Sequence, residues 1–294
     1  MNNKLIVDER QRDIGQFLVG RLLPFKDKRQ VGPFTYIDHM GPVELEEGKF
    51  FDIDQHPHIG LSTLTYLLKG EIEHMDSIGS KQVVKPGDIA FMTSGKAVTH
   101  TERTPKTLRE SGEKIIMHGY QIWVVLPKQL EDMEPNFQFF SSNEIPSKVT
   151  DDYSLKLLAG EGFGLRAPLQ GYSPLFMVDI TAKKTTDLAL ADQLSGELAI
   201  VVVEGELEAD GETIKQGQML ISKTDEQCKV HLKKDTQILI FGGKPLEDDV
   251  FLLWNFVSSD KDKLEQAKQD WKAKKFPKIE EDDTYVPFPE MKLK

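Results

Sequence analysis

The sequence predicts an all-β protein built from two similar small antiparallel domains, with one helix near the C-terminus. Three observations carry this. Short stretches that alternate apolar and polar residues recur along most of the chain, separated by glycine and proline turns. YLLKGEIEHMDS at 66–77 resembles IVVVEGELEADG at 200–211, and VVKPGDIAFMTSG at 83–95 resembles TIKQGQMLISKTD at 213–225, which is the mark of an internal repeat. In SDKDKLEQAKQDWKAKKF, finally, Leu264, Ala267 and Trp271 recur at helical spacing.

Taken in order, residues 15–42 read as short strands and turns, ending in PFTYIDHMGP, where His39 reads as a structural or surface histidine. LSTLTYLLK at 61–69 alternates with apolar groups on both faces, as a strand inside a sandwich does, and Gly70 breaks it. EIEHMD at 71–76 alternates again, and VVKPGDIAFM turns at Pro86 and Gly87. KIIMHGYQIWVVL at 114–126 is the longest strand-like run of the first half. His118 shares a face with apolar neighbours there, either as a buried, hydrogen-bonded histidine or as a second layer behind a site or cavity. PKQLEDMEP at 127–135 reads as a short helix closing the first half, which places the boundary near 140 and divides the chain into 1–140 and 141–294. Ser259 is the expected N-cap of the C-terminal helix, which packs on the exterior of a domain. Lys272, Lys274, Lys275 and Lys278 read as its solvated end. The tail KIEEDDTYVPFPEMKLK is expected to run extended over the surface.

The 294 residues carry a net charge of −11, which disfavours direct nucleic-acid binding because an acidic surface repels phosphate. One cysteine, Cys228, allows no intrachain disulfide and reads as a buried thiol. The N-terminus lacks the apolar core of a secretory signal, and no apolar run approaches the ~20 residues of a membrane helix. A cytoplasmic protein, and a monomer, is expected.

The stretch from His56 to Glu102 holds the chemistry. His56 and His58 stand two apart in HPH, and His100 and Glu102 stand two apart in HTE. Residues two apart on a strand share a face, so facing strands would aim three imidazoles and a carboxylate at one point. That set suits a divalent transition metal with positions left open for water, oxygen or substrate. The second repeat lacks it. Twelve residues before Gly205, where the first copy has His58 before Gly70, stands Gln193, and the slots of His100 and Glu102 fall near Val230 and Leu232. One metal ion per chain is therefore expected, in the first domain.

HPHIGLSTLTYLLKGEIEHMDS, PGDIAFMTSGKAVTHTE and HGYQIWVVLP together resemble the pirin family of the cupin superfamily. The resemblance spans nearly the whole chain and weakens after 170. It implies a bicupin, two tandem antiparallel cupin β-barrels with the metal in the N-terminal one. It also implies iron, most often Fe(II), held by His56, His58, His100 and Glu102. Some members resemble quercetin 2,3-dioxygenase in activity, and the animal protein is described as a transcription cofactor. The chain departs from the wider cupin pattern where Ser62 and Thr63 stand in place of a glutamate, leaving Glu102 as the carboxylate ligand. Phe91 and Thr101 replace the more usual Trp and Ser.

The expected function is an iron-dependent dioxygenase acting on a flavonol or similar aromatic, with Glu102 as catalytic base. The alternative is a non-enzymatic, metal-dependent regulatory protein, with a protein partner rather than DNA. A purely structural metal ranks behind both. Sequence leaves iron, manganese, nickel, copper and zinc open.

Overall fold

The alternating segments form strands where the sequence places them. In the computed structural model, described over residues 4–14, 17–223 and 229–290, LSTLTYLLK becomes the strand Leu61–Lys69, IEHMD the strand Ile72–Asp76, and the long run the strand Ile116–Val125. The PKQLEDMEP helix shrinks to one 3-10 turn, Lys128–Leu130, behind Pro127. Cys228 lies outside the described residues.

The chain packs as two units, and these exchange chain ends. One comprises Met1–Arg12, Leu18–His39 and Phe140–Leu246; the other comprises Asp13–Phe17, Met40–Phe139 and Glu247–Lys294. A contiguous division at 140 thus follows the repeat but not the packing. The reason is pairing across long sequence separations. Leu5–Asp8 adds to the edge strand Gln218–Lys223, with Leu5 opposite Ile221 and Asp8 opposite Gln218, and so covers an otherwise open edge.

The unit carrying the histidines has a four-stranded sheet in the order Asp52–His58, Val98–Arg103, Ile72–Asp76, Lys81–Val84. In its other sheet Asn136–Phe140, Ile89–Thr93, Leu61–Lys69 and Ile116–Val125 lie side by side. Asp52–His58 stands at a sheet edge, where Pro57, with no N–H to donate, is tolerated. The ladders do not join into a ring, so the units are cupin-like pairs of sheets rather than the closed barrels expected. All-β bicupin architecture with a C-terminal helix is otherwise as anticipated.

The second unit repeats the pattern: Thr186–Ala189, Lys229–Leu232, Glu206–Ala209, Glu212–Lys215. Matching the ladders strand for strand fixes the equivalences. Leu188 opposite Val230 takes the place of His56 opposite His100, and Leu207 opposite Leu232 that of His74 opposite Glu102. Counting back from Gly205 put Gln193 at the His58 slot; the ladder puts Leu190 there instead. All of these leucines, with Val230, lie in one buried apolar cluster. The second copy therefore fills its centre with hydrocarbon where the first holds imidazoles.

The C-terminal helix, Lys261–Lys272, buries Leu264, Ala267 and Trp271 as its spacing requires. Its N-cap is Asp260, whose side chain accepts from the Asp262 N–H; Ser259 instead donates its N–H to the buried Glu131 carboxylate at 2.7 Å. The tail after it is anchored. The Gln55 side chain accepts from the Ile279 N–H at 3.0 Å and donates to the carbonyl of Asp282, and Phe288 joins a cluster with Ile59, Phe256, Leu264 and Trp271.

Candidate metal centre

His56 and His58 share one face of their strand. In the antiparallel register His100 lies directly opposite His56, and Val98 opposite His58. The three imidazoles accordingly converge, with one ring nitrogen of each within 4.8 Å of the others, and all three residues are buried. Between His100 and Glu102 the partner steps from His56 to Ile53, so the extra residue of this bulge lies on the Asp52–His58 strand; against Ile72–Asp76 the ladder is unbroken, with His100 opposite Asp76 and Glu102 opposite His74. Glu102 is buried beside the triad but does not belong to its 4.8 Å cluster. The Thr65 hydroxyl lies 3.3 Å from its carboxylate and 2.9 Å from Gln121 Oε1, so the two oxygens share its one proton. The Trp123 ring stands edge-on to His58 with centroids 5.2 Å apart and forms an apolar wall.

Each imidazole is anchored through Nδ1. His56 Nδ1 lies 2.8 Å from the carbonyl of Asp54, and His58 Nδ1 lies 3.1 Å from the carbonyl of Asn255. A carbonyl only accepts, so both Nδ1 atoms carry the proton and both Nε2 atoms present a lone pair. His100 Nδ1 lies 3.4 Å from His74 Nδ1, and its Nε2 lies 3.1 Å from His58 Nε2. Two imidazole–metal bonds of about 2.0–2.1 Å at a right angle place their nitrogens roughly 3.0 Å apart. The donor set and its spacing therefore fit a divalent transition metal.

Electrostatics favour the ligating form. Burial lowers the His56 pKa to about 4, against the hydrogen bond that its Nδ1–H donates to the Asp54 carbonyl. Burial and the neighbouring imidazoles push His58 and His100 well below the ordinary value. The three are neutral at physiological pH, as metal binding requires. Burial raises the Glu102 pKa, against hydrogen bonds from Thr65 and Gln121.

His118 is not part of the triad. It lies opposite Lys69, while Thr65 faces Gln121, four residues or ~13 Å further along the ladder. His39 belongs to the other unit, where its Nδ1 meets Glu9 at 2.6 Å. Sequence reasoning passed over His74. It is buried, stacks on Phe137 at 4.6 Å between centroids, and touches both His100 and, through Nε2, Asp76 at 3.0 Å. The two-residue spacing of His74 and Asp76 was the available signal. Nothing in the sequence pointed to the Asn255 carbonyl.

Fold and centre together define a two-domain cupin-type protein with a three-histidine candidate metal site in one domain. The chain belongs to the pirin family. A family described as Pirin matches residues 16–124, and one described as Pirin C-terminal cupin domain matches 177–277. A Pirin-like protein of Caulobacter vibrioides is 41% identical over 97% of this chain and 99% of its own length. The crystal structure of quercetin 2,3-dioxygenase from Acinetobacter baumannii is similar with a TM-score of 0.88 and 28% identity, covering 98% of this chain and 96% of that one. A bacterial pirin from Escherichia coli, solved in complex with nickel(II), shares the fold at a TM-score of 0.64 and 20% identity, covering 83% and 100% of the two chains. No helix among the described residues is long and apolar enough to cross a membrane.

Proposed function

We propose that this protein is an iron-dependent dioxygenase acting on a flavonol or a similar hydroxylated aromatic. The observation that carries the reading is the arrangement of His56, His58 and His100, three neutral imidazoles held by Nδ1 with their Nε2 lone pairs converging. His56, His58 and His100 would hold the metal, and Glu102 would serve as a fourth ligand. The bound ion supplies Lewis acidity toward a substrate hydroxyl and a site for oxygen. Glu102 takes the hydroxyl proton: its pKa is raised by burial toward the range of a useful base, and Thr65 and Gln121 orient it. The apolar Trp123 wall suits an aromatic ligand. The 0.88 TM-score to a quercetin 2,3-dioxygenase over nearly the full chain supports the same class.

The test is aerobic incubation of iron-loaded protein with quercetin, following loss of the flavonol absorbance. Turnover that disappears in His56→Ala and Glu102→Ala is the expected result. No turnover with any of iron, manganese, nickel, copper or zinc, together with metal-dependent binding of a protein partner, would replace the enzyme by a regulatory protein.

A further inference from the structure

We propose that Asp76, acting through His74, sets which nitrogen of His100 carries the proton and so leaves Nε2 bare for the metal, which makes His74 and Asp76 positioning residues for the centre. The inference rests on the metal reading above but concerns the protein's own hydrogen-bond chain. His56 and His58 have their tautomers fixed by backbone carbonyls, which cannot donate. His100 has no such partner at Nδ1; it meets another imidazole, His74 Nδ1, which can either donate or accept. The choice is made one step further out. His74 Nε2 lies 3.0 Å from Asp76 Oδ2, and a carboxylate only accepts, so His74 carries its proton on Nε2 and offers a lone pair at Nδ1. His100 then donates from Nδ1 and presents Nε2, bare, toward His58 Nε2.

Asp76 is itself fixed. Its Oδ1 accepts from the Ile78 N–H at 3.1 Å and the Ser80 N–H at 2.9 Å, in the turn after the strand Ile72–Asp76. Phe137 stacks on the His74 ring and holds its plane. Asp76 stands opposite His100 in the ladder and His74 opposite Glu102, so the relay comes from the strand next to the ligands. Outer partners of this kind fix ring orientation and tautomer at metal sites, and losing one typically costs about 10–100-fold in metal affinity.

The geometry makes Asp76→Asn a directed test. The two backbone N–H groups keep the amide oxygen on their side, which turns the NH2 toward His74. His74 must then accept at Nε2 and donate from Nδ1, and His100 is left with its proton on Nε2, the ligating atom. The fold is retained because the turn keeps both backbone hydrogen bonds. Zinc(II) serves as the probe, with affinity read by chelator competition and ring protonation by nitrogen-15 NMR of the imidazoles. Asp76→Asn is expected to lose at least about 10-fold in zinc affinity. The loss should shrink in a His74→Asn background, where the asparagine oxygen accepts from His100 independently of residue 76. In metal-free wild-type protein His100 should carry its proton on Nδ1, a measurement that needs no variant to fold. Wild-type zinc affinity in Asp76→Asn, an equal loss with and without His74, or a His100 proton on Nε2 in the metal-free wild type would each overturn the proposal. None of these readings depends on quercetin turnover, so a failure of the dioxygenase reading leaves the relay testable.

Discussion

Phe256→Ala tests whether the C-terminal segment positions the metal ligands. Phe256 is fully buried, stacks on Phe276 with centroids 5.7 Å apart and meets Trp254 edge-on at 5.5 Å. It also bridges Ile59 next to the ligand strand, and the Val257 N–H donates to the Ile59 carbonyl at 3.2 Å. Truncating a buried phenylalanine costs about 3–5 kcal/mol, through lost burial and the cavity left behind. Asn255, one residue away, supplies the carbonyl that holds His58 Nδ1. That hydrogen bond is worth about 0.5–1.5 kcal/mol net, and 1.4 kcal/mol is a factor of ten. The variant should therefore lose about 4 kcal/mol in urea unfolding of the metal-free protein, and up to about 10-fold in zinc affinity by chelator competition. Phe241→Ala is the control, because Phe241 is equally buried but belongs to the other unit. Comparable destabilisation with unchanged zinc affinity is expected there. If Phe256→Ala weakens the fold but binds zinc like wild type, or if both variants lose affinity alike, the positioning argument fails.

Two further outcomes follow from local geometry and charge. Gly60 has φ +69, and a Cβ there would stand 2.0 Å from the Val257 carbonyl oxygen, so Gly60→Ala should destabilise by more than the ~1–2 kcal/mol of a left-handed residue alone; a thermal melt within a degree of wild type would contradict the packing. The His56 pKa is about 4 in the fold against 6.5 unfolded, so below pH 6.5 the unfolded chain takes up protons first. Metal-free protein should hold its full stability above that pH and lose roughly 3 kcal/mol by pH 4, with His58 and His100 acting in the same direction; urea midpoints that stay flat from pH 7 to pH 4.5 would refute it.

Much of this was readable in the chain because it depends on periods of two and on short spacings. HPH and HTE announced their shared faces, and the ladder brought His100 opposite His56 as facing strands demand. The repeat was legible for the same reason, though counting residues missed the Leu190 slot, since loop lengths differ between copies and only pairing fixes register. Ser259 and Asp260 both qualify as helix caps by type; which one caps depended on Glu131, a buried carboxylate far off in sequence.

By itself, then, the sequence determined the all-β tandem fold and the family, and it singled out the three histidines that converge, because alternation and motif spacing are local properties. Only the tertiary structure decided which ring nitrogen each histidine presents. That choice depends on Asn255, 197 residues from His58, and on His74, 26 residues from His100. It decided, too, that the chain's two ends are packed into opposite units. Hydrogen-bond partners and sheet edges are matched in space, where chain distance carries no information.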